Sequence, residues 1–180
     1  MERCALPIYK KLADFGGKFI GKSTLFKHGF NYSPMYRRST ARIVAISKDL
    51  LQVTIKLPIS YKNKNYVNSI FGGSMFAAVD PIPMIQLMHL LGDDYVVWDK
   101  SAEIYFKKPA KENLYADFIY TTIEVDEILS RVSTENEIEV TKVTQLTNQD
   151  RTVVYCEVKK TIYIAEKSFF REKKRLKNRD

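Results

Sequence analysis

The amino-acid sequence predicts an α+β fold, a curved and largely antiparallel β-sheet wrapped around one long central helix, and three observations carry that prediction. Gly72 to Leu91 is a long apolar segment whose only carboxylate is Asp80, and it reads as a buried helix. Two β-rich runs precede it and four follow. With at most one short helix among the last four runs, their strands should pair largely antiparallel, and the helix is the one object such a sheet can curve around.

Taken in order, Ala5 to Phe26 is helical in part, with Leu6, Tyr9, Leu12 and Ala13 at helical spacing, loosened by Gly16, Gly17 and Gly21. Gly29 to Arg38, with Asn31, Ser33 and Pro34, reads as a connector. Ala41 to Ile46 and Leu50 to Leu57 form a hairpin over Ser47, Lys48 and Asp49, and Val53, Ile55 and Leu57 alternate with polar residues as in a strand with one wet face. The polar run Tyr61 to Ser69 is a loop. Gly72 and Gly73 then open the central helix, where glycines let another chain or a ligand approach the first turn closely. Strands follow at Tyr95 to Phe106 and Leu114 to Ile123, and Glu124 to Arg131 is a short helix or a wide turn. Glu137 to Leu146 and Thr152 to Ile164 pair over the turn Asn148, Gln149, Asp150. Their apolar face is assigned to Ile138, Val140 and Val143 with Val154, Cys156, Val158, Ile162 and Ile164. The order of two strands, one long helix and four strands is that of the hotdog fold. It divides the chain into an N-terminal helical extension (1–33), a hotdog domain (34–166) and a basic C-terminal tail (167–180).

Composition excludes several chemistries. Two cysteines, Cys4 and Cys156, argue against a disulfide scaffold or a cysteine zinc site and suit a reducing, cytoplasmic setting. With only His28 and His89, no histidine-rich metal site is expected, and a Ser-His-Asp triad would have to use one of those two. No run of about 18 uninterrupted apolar residues is present, and Met1 to Lys11, with its early Glu2, is a poor secretory signal. The net charge of +8 concentrates from Lys167 onward, where seven cations face Glu172 and Asp180. That tail reads as a solvated, partly disordered end. It carries no nucleic-acid motif, and none is expected as a partner, whereas it or the N-terminal helix could touch a membrane surface.

Several short motifs carry a resemblance. Phe71-Gly72-Gly73 followed by Asp80 resembles the His-Gly-Gly and later acidic residue of hotdog thioesterases of the phenylacetyl-CoA and 4-hydroxybenzoyl-CoA type, with Asn65 where that family has Asn or Gln. Ile104 to Ala110, including Lys107, Lys108 and Pro109, is similar to the strand end and Arg-Pro-Ala turn after the family's helix. Asn65-Tyr66-Val67, Phe71 to Ser74, Asp80-Pro81 and Val97 to Lys100 are similar to motifs of an uncharacterised branch of the superfamily. The likeness spans roughly residues 34 to 166. It departs at Phe71, where an aromatic ring replaces the hydrogen-bonding histidine.

The resemblance implies hydrolysis of an acyl-CoA or other acyl thioester, with coenzyme A entering only as part of the substrate. Asp80 would be the general base or nucleophile, Gly72 the amide donor to the oxyanion at a helix N-terminus, and Asn65 the group that holds the water or the carboxylate. Phe71, Gly73, Ser74 and Met84 would line the substrate, and Lys107 and Lys108 could meet coenzyme A phosphates. Gly72 and Asp80 lie eight residues, about 12 Å, apart on one helix, so the site is expected between protomers of a dimer or a dimer of dimers. Structural readings stand beside these: Asp80 as N-cap before Pro81, the glycines as packing sites, Asn65 as a turn former, Met84 as core, the lysines as solvated. The alternative function is a hotdog module that binds acyl groups without turning them over.

Overall fold

The computed structural model describes residues 21–177; the segment with Leu6, Tyr9, Leu12, Ala13, Gly16 and Gly17 lies outside them. Helices α1 (Lys22–Tyr32) and α2 (Pro34–Arg37) come first, then strands β1 (Arg42–Ile46) and β2 (Gln52–Leu57). The region read as a connector is therefore helical. Phe26 and Phe30, one turn apart, bury into the core and draw α1 onto β1, and Pro34 starts α2 at a position that needs no N–H donor. Helices α3 (Gly72–Val79) and α4 (Pro81–Leu91) follow, then β3 (Tyr95–Phe106), β4 (Leu114–Ile119), α5 (Thr122–Glu135), β5 (Glu137–Thr147), β6 (Val154–Glu166) and α6 (Lys167–Lys177).

All six strands form one sheet in the order β1-β2-β4-β5-β6-β3, and every neighbouring pair is antiparallel. This is the hotdog architecture, with α3 and α4 as the central helix. Met75, Ala78, Val79, Ile82 and Leu87 of that helix are buried together with Ile55, Leu57, Leu114, Val158, Ile162 and Ile164 from the inner face of the sheet. Over 20 residues with mean hydropathy 1.2, Gly72–Leu91 has the length and composition of a membrane span. Half of it is buried within the fold, so its apolar character serves the core.

A bulge in β3 sets which of its side chains face the helix. Inward residues of β3 are Val97 and Asp99 before an irregularity between Asp99 and Ser101, and Ala102, Ile104 and Phe106 after it, as their partners on β6 show. The extra residue, Lys100, thus switches the inward set from odd to even numbers. On β5 the inward set is even throughout, so Val143, expected on the apolar face, is exposed instead.

The stretch read as a short helix or wide turn is a helix of 14 residues. Thr121 caps it by accepting from the Glu124 N–H at 3.1 Å, and Val125, Ile128 and Val132 fall on one buried face. The C-terminal tail also differs from expectation, because α6 is helical. It buries no residue; Phe170 meets Trp98 edge to face, and Lys173 pairs with Glu137 at 2.6 Å. An exposed pair of that kind contributes at most about 1 kcal/mol. Deleting residues 167–180 is therefore expected to leave the sheet folded and to lower Tm by no more than about 4 °C, measured by thermal denaturation.

Candidate active site

Asp80 sits at the junction of α3 and α4 with helical backbone angles, φ −49° and ψ −51°, and its side chain caps nothing. The capping reading of Asp80 is therefore corrected: an N-cap needs an extended backbone, and here the helix runs on. Its carboxylate Oδ1 instead accepts from the Lys160 ammonium at 2.6 Å, and the Asp80 backbone carbonyl accepts from the same Nζ. Lys160 also pairs with Asp99 Oδ2 at 2.7 Å. Its side chain is only 2% exposed, against 40% for Asp80 and 27% for Asp99.

One buried cation thus bridges two carboxylates brought from the central helix and β3. Removing one partner of a buried ion pair costs about 3–5 kcal/mol, because the charge left behind is uncompensated. Burial pushes the Asp99 carboxyl above its ordinary range; the hydrogen bond and charge of Lys160 oppose this, and the charge of Asp80 adds to it. Asp99 Oδ1 is buried without a hydrogen-bond partner among the described residues.

Three buried donors hold the central helix here. Tyr36 donates to the Ala78 carbonyl at 3.0 Å, Lys160 to that of Asp80, and Tyr120 to that of Pro83 at 3.1 Å. Burial raises both phenols well above their ordinary range, the charges of Glu124 and Asp99 adding to the effect at Tyr120, so both remain donors.

At the helix start, a Cβ on Gly72 would lie 2.7 Å from Phe106 Cζ, and one on Gly73 would collide with the Phe71 ring. Both glycines therefore admit aromatic rings against the first turn, and both rings are largely exposed. The Gly72 N–H, the first of that turn, has no intrahelical acceptor. Asn65 shapes its own loop: Oδ1 accepts from Val67 N–H at 3.1 Å and Ser69 N–H at 3.0 Å, while Nδ2 donates to Ser69 Oγ at 2.9 Å. Its polar atoms are engaged there and not at Asp80. Ser74 lies in the first turn of α3 beside the glycines, its N–H donating to the Phe71 carbonyl at 2.9 Å. Met84 is partly buried beside the core around Leu87 and Tyr120. Lys107 and Lys108 are exposed just past β3, their ammonium groups over the Tyr105 and Tyr155 rings at 5.5 and 5.8 Å.

Within one chain the structure brings Asp80 together with Asp99 and Lys160, and it gathers Gly72, Gly73, Phe71 and Phe106 at the other end of α3. His89 packs its ring against Phe26, where burial and the charge of Lys22 lower its pKa. Burial pushes the Cys156 thiol up to about 11, far from a ready nucleophile. Among the described residues no group of three or more His, Cys, Asp and Glu could hold a metal ion. A cleft of about 170 Å³, lined by Pro83, Tyr120, Lys142 and neighbours, opens where β4 and β5 retain only the Tyr115–Thr147 pair, and Asp80 is not among its lining residues.

Solved structures share this fold. A Pseudomonas aeruginosa protein of unknown function, described as a probable thioesterase, superposes with a TM-score of 0.69 at 19% identity, covering 79% of this chain and 94% of that one. A Haemophilus influenzae thioesterase gives 0.55 at 11% identity over 78% and 88%. Zebrafish thioesterase superfamily member 2 gives 0.54 at 13% identity over 77% and 92%. No curated protein matches the sequence. Residues 22–164 match the family described as a domain of unknown function, DUF4442, and with the sheet and helix above this makes the chain a hotdog-fold member of the DUF4442 family.

Proposed function

We propose that the protein hydrolyses acyl thioesters, with acyl-CoA the substrate class to test first, at a site shared between two protomers. The observation that carries this reading is the part-exposed Asp80 carboxylate on the central helix, hydrogen-bonded to the buried Lys160 ammonium of β6, in a fold shared with proteins named thioesterases. In the reaction Asp80 takes a proton from water as the water attacks the thioester carbonyl, or attacks that carbon itself to form an acyl anhydride that water then hydrolyses, freeing the carboxylate. The Gly72 N–H donates to the oxyanion, and the thiolate leaves. Phe71 adds a ring at the mouth of the site and no hydrogen bond. Lys107 and Lys108, exposed beside it, are free to meet phosphates.

Phe71 in place of histidine also favours a second reading, a module that binds acyl groups without turnover. A panel of short, long and aromatic acyl-CoA thioesters, followed by thiol release and by calorimetric binding, separates the two. Release well above the buffer rate supports hydrolysis, binding without release supports the module, and neither outcome on any thioester overturns both.

A further inference from the structure

We infer that Lys160 is a positioning residue for Asp80, its buried ammonium clamping both the carboxylate and the backbone carbonyl of that residue so that the second carboxylate oxygen stays turned to the substrate side. The inference rests on the catalytic reading of Asp80 given above and adds to it the group that holds Asp80 in place.

Lys160 occupies an inward position of β6, between buried Val158 and Ile162. An apolar side chain would fill that place without the cost of burying a charge, so the lysine is accounted for by what its ammonium holds. It holds Asp80 at two points, Oδ1 and the main-chain oxygen, and a two-point clamp fixes the side-chain torsion as a single hydrogen bond would not. Asp80 Oδ2 has no partner among the described residues, and the side chain is 40% exposed, so that oxygen is the one left for water or substrate. The helix is itself anchored around this point by Tyr36 and Tyr120, so the clamp is built on a fixed support. Asp99, the second carboxylate on Lys160, supplies counter-charge and keeps the ammonium at that depth. Lys142, the other inward lysine nearby, is occupied by Glu124 at 2.7 Å.

Lys160→Met alone would leave two carboxylates without their cation, so the test pairs it with Asp99→Asn. The double variant Lys160→Met/Asp99→Asn is expected to fold, with kcat on acyl-CoA down by about 10- to 100-fold and KM within about twofold, as for a misplaced catalytic group. Lys159→Met, on the outer face, serves as the control. Independently of turnover, scalar couplings of the Asp80 side chain measured by NMR are expected to show one rotamer in the wild type and averaging in the variant. If the wild type hydrolyses no thioester, the functional reading falls while the couplings still decide the clamp. A folded double variant with unchanged kcat, or with Asp80 still in one rotamer, overturns the inference. Should the double variant not fold, Lys160→Gln/Asp99→Asn, which keeps a polar group at the buried position and loses the charge and reach, is measured in the same two ways and judged by the same outcomes.

Discussion

Asp80→Asn is expected to keep the fold and to lose about 100-fold or more of thioester hydrolysis, the usual scale of a general acid-base contribution. The amide oxygen can still accept from Lys160, and Lys160 keeps its bond to Asp99, so the buried cation does not lose all of its partners. The missing property is the negative charge, which a base or nucleophile needs and an amide cannot supply. Steady-state kinetics on the best thioester of the panel, with Tm measured in parallel, check this. An Asn variant as fast as the wild type shows that Asp80 is not catalytic.

The second large effect concerns the two edges of the sheet. At β1 the edge is closed by α1: Asn31 donates to the Ile43 carbonyl at 3.0 Å and accepts from its N–H at 2.8 Å, and Lys27 donates to the Val44 carbonyl at 2.9 Å. The opposite edge, the 12-residue β3, has no strand beyond it among the described residues. An open edge of that length is a template for pairing with another strand. Along β3, Asp99 marks the Asp80 end and Phe106 the Gly72 end, and Ala102 and Glu103 lie midway between them. Antiparallel pairing of two β3 edges about that point would set Gly72 of one protomer near Asp80 of the partner subunit. Sedimentation is therefore expected to give a dimer or a multiple of it, and Ala102→Cys chains should cross-link on oxidation. A folded, active monomer at micromolar concentration would rule out the shared site.

Much of the fold was legible because its signals are local. The alternation Val53, Ile55, Leu57 and the turn at Asn148 announce their strands, and β3 begins and ends where the sequence places it. What escaped depends on partners distant in sequence. The helix at 22–32 is fixed by burial of Phe26 and Phe30 against β1, and the exposure of Val143 by the register of β5 against β6. The candidate site was half visible. Asp80 and the glycines stand out as motifs, but Lys160 does so only as a lysine at an apolar parity position in the run Val154, Cys156, Val158, Ile162, Ile164. Its partner Asp99 was legible only as one residue of the Val97 to Lys100 motif. Pairing the two required the bulge at Lys100, which no periodicity reveals.

The single tryptophan of the chain, Trp98, stacks on Tyr163 at 4.3 Å between ring centroids and meets Phe170 of α6 edge to face at 5.1 Å. It stands one residue from Asp99 and directly under the C-terminal helix. Its emission is consequently a native optical reporter of two separate events: detachment of α6, which exposes one side of the indole to water, and melting of the β3–β6 ladder, which removes the tyrosine. Both can be followed in the unlabelled protein as successive changes in one spectrum.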